Sequence, residues 1–184
     1  MMNNKKSILR HLAWVALCVL PCVSHAEDSD KNEIRLATSL DLAGQSKGLG
    51  IGMLSGLEAA FKDKQVGTKH IKLLSENDNY SPPKTIEAVN KLLSQDVFAF
   101  VGNVGTPTAA AALPLLAEKK VPAIGFFTGS DLLRDHQADV INYRASYSQE
   151  VKAVVDEAFK NGYGPASICA YVQDDGYGLA GLKG

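Results

Sequence analysis

The chain has 184 residues, 46% of them hydrophobic, with 19 Lys and Arg against 20 Asp and Glu and a formal net charge of −1. That is enough apolar material for one domain core, and no basic run follows residue 26, which argues against nucleic acid as a partner. Beyond residue 26 only His70, His136 and Cys169 remain of the usual soft metal ligands, with no metal-ligand spacing among them, so a zinc or iron site is unsupported.

The first elements in chain order are not part of a domain. Lys5, Lys6 and Arg10 form a basic start, "HLAWVALCVLPCV" is a short apolar stretch, and "SHA", Ser24 to Ala26, is a small-x-small cleavage site. This predicts a secretory signal peptide over 1–26 and a periplasmic location. The acidic, polar "EDSDKNE" that follows argues against an uncleaved membrane anchor. Neither Cys18 nor Cys22 is preceded by the small residue that a lipoprotein needs. Removal of 1–26 leaves 158 residues with 16 basic and 20 acidic side chains, a net charge of −4. Cys169 then has no intramolecular partner, and its place in "ASICAYV" predicts a small buried hydrophobe in a strand.

From residue 33 the pattern alternates. Strands are expected at 33–40, 70–75, 97–102, 121–127, 140–144 and 167–172, and helices at 50–64, 83–95, 107–120 and 148–161. Leu54, Leu57 and Phe61 share one helical face, as do Ile86, Val89 and Leu93, and then Val151, Val154, Val155, Ala158 and Phe159. Ser146 and Gln149 form a capping box for the last helix. "VFAFVG" and "VPAIGFF" are nearly continuous apolar runs, as expected of strands covered on both faces. The fold class is therefore α/β, a doubly wound parallel sheet. In the flavodoxin-like strand order 2-1-3-4-5, the loops after the first and third strands face each other where the winding reverses, and ligands bind there.

The loop after the first strand, "SLDLAGQSKGLGIGMLSGLEAAF", is rich in glycine. Gly48, Gly50 and Gly52 do not fit the dinucleotide fingerprint, because Met53 and Leu54 stand where a third spaced glycine should be. No phosphate-binding loop exists either, since Lys47 is followed by Gly48. A simple turn and a ligand-facing loop both remain open. After the third strand, Thr106 is a good N-cap and Pro107 a good first helical residue. The amides of Thr108 and Ala109 would then be free to receive a small carboxylate, helped by the Thr106 and Thr108 hydroxyls. An ordinary capped helix is the alternative, and Pro114 should kink it. After the fourth strand, Thr128, Gly129 and Ser130 offer further hydroxyls and amides. No G-x-S-x-G elbow is present, and no Ser–His pair is signalled. Asp41, Asp78, Asp131 and Glu150 read as solvated or helix-start carboxylates. Hydroxyls and glycines without a strong base describe a binding cleft, not a reaction centre.

The pieces "LAGQSKGLGIGMLSGLEAA", "VGNVGTPTAAAALPLLAEKKVPAIGFFTGSDLLR", "YRASYSQE" and "YVQDDGYGLAGLKG" occur in the order seen in the periplasmic substrate-binding proteins of the branched-chain amino acid (leucine/isoleucine/valine) type. The chain resembles that family, whose fold is the type I periplasmic-binding fold of two lobes that close on a small ligand. The resemblance implies that Gly105, Thr106 and Thr108 hold a ligand carboxylate, that Phe127, Thr128 and Gly129 receive an amine, and that Tyr177 covers the ligand from the second lobe. Tyr147 and Leu49 complete the implied ligand-binding set. Leu49 stands where many members carry an aromatic residue, and Gly129 where many carry an amine-contacting threonine.

The resemblance divides the chain into a signal peptide (1–26), an incomplete first lobe (27–144) and the start of a second lobe (145–184). Family members run much further, so an amino-terminal fragment is expected. The implied function is the solute-binding component of an ABC importer, not an enzyme and without a cofactor. Its partners are a small amino-acid-like or other carboxylate ligand and a permease in the inner membrane. A ligand-sensing input domain of a receptor is the alternative, with a nucleotide-dependent enzyme further behind.

Overall fold

The computed structural model describes residues 32–134 and 139–184. The expected signal peptide and His136 lie outside the described residues. Among the described residues six strands and five α-helices follow one another. They are β1 Glu33–Leu40, α1 Lys47–Phe61, β2 Gln65–Val66, β3 Lys69–Asn77, α2 Pro82–Leu93, β4 Ala99–Val101, α3 Thr106–Lys119, β5 Ala123–Ile124, β6 Val140–Ile141, α4 Tyr147–Lys160 and α5 Gly176–Leu182. Single 3₁₀ turns lie at Asp131–Leu133 and Pro165–Ser167.

The sheet has the order β2-β3-β1-β4-β5-β6. All pairings are parallel except that of β2 with β3. The two-residue β2 is a hairpin arm that turns at Gly67, where φ is +62°. Without it the order is the expected 2-1-3-4-5, and β1 and β4 lie side by side at the reversal. The longest ladder joins β1 and β3, from Glu33↔His70 to Leu40↔Asn77.

Both faces are covered, as the apolar runs require. On one face Ala37, Phe100 and Ala123 pack with Val89 and Leu92 of α2 and with Ala109, Ala112, Leu113 and Leu116 of α3. On the other, Leu36, Ala99 and Val101 pack beneath Leu57 and Phe61 of α1. Neighbours Leu36 and Ala37 thus serve opposite cores, as strand alternation demands. The small residues of "AAAA" let α3 come close: Ala109 and Ala112 are fully buried. That helix runs unbroken through Pro114 to Lys119.

Four expectations change. The buried stripe of α2 is Thr85, Ala88, Val89 and Leu92, so Ile86 is exposed. Small Thr85 and Ala88 permit a closer approach to the sheet than Ile86 would. The strand expected at 167–172 does not form, because no described strand pairs with it. Cys169 is accordingly exposed and not in a strand. Asp41 and Asp78 are not solvated. They are 2% and 1% exposed, and they organise loops through hydrogen bonds.

Candidate ligand-binding site

The strand order sets the carboxyl ends of β1, β4 and β5 side by side, with the reversal of winding between β1 and β4. The carbonyl of Asn103 accepts from the amide of Phe127 at 2.6 Å, and the amide of Gly105 donates to Phe127 at 3.2 Å. Val104 and Phe127 form a parallel bridge. The loops after β4 and β5 are thus stitched by backbone bonds, and the Asn103 side chain accepts from the Ser39 amide of β1 at 3.4 Å. Helix α1, which follows the first loop, closes on the start of the third: a Cβ at Gly102 would come within 2.9 Å of Met53 and 3.0 Å of Leu57.

The glycine-rich loop closes on a carboxylate of its own. Asp41 accepts from the amides of Ala43, Gly44 and Ser46. Those are the donors a bound phosphate would need, so the loop is built as a turn around Asp41. Gly50 is required for packing: a Cβ there would run into the Asp41 carbonyl. Around Gly48 and Gly52 there is open space. Leu49, in the first turn of α1, is 54% exposed.

Helix α3 starts one residue earlier than its sequence predicts. Gly105, at φ 107°, is the N-cap, and Thr106 and Pro107 follow as the first two helical residues. Ala109 already donates to the Gly105 carbonyl at 3.1 Å, so its amide is not free. The open donors of this helix start are the amides of Thr106 and Thr108. The Thr108 hydroxyl is buried and donates to the carbonyls of Val104, at 2.6 Å, and Gly105. It therefore anchors the turn, and its amide is what the site can use.

Thr106 presents its hydroxyl to that of Thr128, 2.7 Å away. Thr128 also lies 3.3 Å from the Tyr147 hydroxyl and accepts from the Ser130 amide at 3.2 Å. This chain of hydroxyls links α3, the loop after β5 and α4. Gly129 lets α4 approach: its carbonyl accepts from the Tyr147 amide at 2.8 Å, and a Cβ would meet the Tyr147 ring at 2.7 Å. The capping box of Ser146 and Gln149 is present in both directions and sets the start of α4. Tyr177, in the first turn of α5, meets Tyr147 edge to face with ring centres 5.0 Å apart. Gly176 lies over the Thr106 methyl, and Asp175 caps α5 by accepting from the amides of Tyr177 and Gly178.

Thr106, Thr128, Gly129, Tyr147 and Tyr177 therefore gather at one place, with Gly105 and Thr108 forming the turn behind them. Phe127 lies at the edge, under the Arg144 guanidinium, which sits 5.0 Å from its ring centre and 5.2 Å from that of Tyr147. Burial works against the Arg144 charge, but the hydrogen bond and charge of Glu150 outweigh it and hold the guanidinium above its usual range. Arg144 and Tyr80 were not among the expected site residues. Tyr80 follows β3, and its phenol lies against Gly105. Burial first, then the nearby Tyr147, Asp175, Tyr177 and Asp78, push that phenol upward. The run "NDNYSPP" does signal a turn, but nothing in it tells that the tyrosine leans onto the next loop.

Comparisons with known proteins agree with this fold. The family model described as "Periplasmic binding protein" matches residues 33–184. No curated protein sequence matches. A solved structure of a possible leucine/isoleucine/valine-binding protein from Rhodopirellula baltica is 38% identical, with a TM-score of 0.78 over 85% of this chain and 44% of that one. A solute-binding protein of an ABC transporter from Rhodopseudomonas palustris, in complex with 3,4-dihydroxy benzoic acid, is 21% identical, with a TM-score of 0.70 over 83% of this chain and 42% of that one. A leucine-binding protein from Thermotoga maritima is 21% identical, with a TM-score of 0.64 over 70% and 37%. The chain thus spans less than half the length of each of these structures.

Proposed function

We propose, from the premise that the chain belongs to the periplasmic binding protein family, that it forms the first-lobe side of a solute site serving an ABC importer. The solute is a small carboxylate, an amino acid or an aromatic acid. The observation that carries this reading is the cluster at the carboxyl ends of the strands. Two threonine hydroxyls 2.7 Å apart stand beside the free Thr106 and Thr108 amides at the positive end of α3. Fixed dipoles of that kind receive a carboxylate without a basic side chain. The names of the similar structures, which include amino acid and benzoate-type ligands, support the carboxylate class. The site has no activated nucleophile, and binding rather than catalysis is proposed. Cleavage of a signal peptide over 1–26 and release into the periplasm are part of the proposal, and amino-terminal sequencing of periplasmic material should then begin at Glu27.

Calorimetry with a panel of amino acids and aromatic acids tests the reading. A hydrogen bond to a charged group contributes about 1.5–3 kcal/mol, so Thr106→Ala should weaken binding about ten- to a hundredfold. Unchanged affinity in Thr106→Ala and Thr128→Ala would reduce both residues to helix and loop supports.

A further inference from the structure

Tyr80 is held in an expensive conformation. It and Asn79 have φ of +57° and +50°, the left-handed region that bulky residues avoid. The buried Asp78 carboxylate enforces this turn, accepting from the Tyr80 amide at 2.8 Å, the Ser39 hydroxyl at 2.7 Å and the Thr85 hydroxyl at 3.3 Å. The consequence is that the Tyr80 ring is delivered onto Gly105, at the start of α3. Its hydroxyl lies 2.7 Å from where a Cβ of residue 105 would stand, so only glycine there leaves the ring its place.

Resting on the solute-site reading above, we propose that Tyr80 is a ligand-contacting residue and that it makes the site selective for a carboxylate carrying a flat ring. Tyr80, from the loop after β3, leans on Gly105 at the start of α3, while Tyr147 from α4 and Tyr177 from α5 meet ring to ring. None of them belongs to the core clusters. Tyr147 and Tyr177 are already set edge to face at 89°, and both act electrostatically on the Tyr80 phenol. The hydroxyls of Tyr80 and Tyr177 make no hydrogen bond among the described residues, in contrast to that of Tyr147, which Thr128 engages. Two uncommitted phenol donors suit a carboxylate. The ring faces and edges suit an aromatic group, which gains from such contacts beyond its buried area, whereas an aliphatic side chain gains only the area.

Saturation-transfer NMR detects weak binding and separates the two levels of the reading. The probes are benzoate and leucine, titrated against the wild-type chain and against Tyr80→Phe, Tyr80→Leu and Tyr80→Ala, with circular dichroism checking each fold. The expected result is that benzoate binds more tightly than leucine. Tyr80→Phe should weaken it a few-fold, and Tyr80→Leu and Tyr80→Ala about tenfold. Tyr80→Leu keeps apolar bulk over Gly105 without a ring, so a merely structural tyrosine would let Leu perform like Phe, and that result would overturn the proposal. Preference for leucine, or benzoate affinity indifferent to all three variants, would also overturn it while leaving the solute site standing. Failure of both probes to bind the wild type would remove the solute-site reading along with it. Should Tyr80→Ala not fold, the contrast between Phe and Leu still decides.

Discussion

Residues 33–134 and residues 146–184 carry the same kinds of apolar pattern and end differently. In the first region every residue of β4 is buried, and Phe100 has no exposure at all. In the second, α4 buries none of its residues, Val154 is 69% exposed, and Tyr171 is fully exposed. Both helices α2 and α4 are amphipathic, and each starts one residue before the expected bound. The difference is what lies against them. The α2 stripe meets β1, β3 and α3, whereas α4 meets chiefly α5. Periodicity reports which face an element offers; burial depends on whether another element takes it.

The sharpest way to break this contrast is a matched pair of truncations. Phe100→Ala, in the sheet, should cost about 3–5 kcal/mol of stability. Phe159→Ala, on α4, should stay within about 0.5 kcal/mol. Urea unfolding of both variants checks it, and equal losses would mean that α4 is packed as firmly as the sheet. Next in size is Asp78→Ala. It strips a buried carboxylate from three donors and should cost about 3 kcal/mol, whereas removing the exposed pair of Lys152 and Asp156 should cost no more than about 0.5 kcal/mol. Smallest is Ser146→Ala. Losing one half of the capping box should lower stability by about 1 kcal/mol, and amide exchange should quicken in the first turn of α4 while β1 is unaffected.

Much of the fold was legible beforehand, for physical reasons. The strand order follows from short crossovers in a doubly wound sheet. The capping box at Ser146 is a local side-chain exchange that needs no tertiary information. The meeting of the loops at Gly105 and Thr128 follows from β4 and β5 being neighbours in that order. Other features were not local. The α3 N-cap is Gly105, where the absence of a Cβ leaves room for Tyr80, a contact between residues 25 apart in sequence. Asp41 and Asp78 looked like surface carboxylates because their donors, backbone amides and scattered hydroxyls, leave no pattern. The expected strand at 167–172 has the right residues, but a strand is a pairing and none is offered among the described residues.

The central claim is that a small carboxylate sits where Thr106, Thr128, Tyr147 and Tyr177 converge. Amide chemical-shift mapping during titration with benzoate and with leucine tests this most directly. The shifted amides are expected to cluster at Gly105, Thr106 and Thr108, at Thr128 to Ser130, and at Tyr177 and Gly178. Shifts confined to the apolar groove of about 390 Å³ beside α3, lined by Ala110, Pro114, Val121 and Val140, would contradict it, as would a spectrum that neither ligand changes.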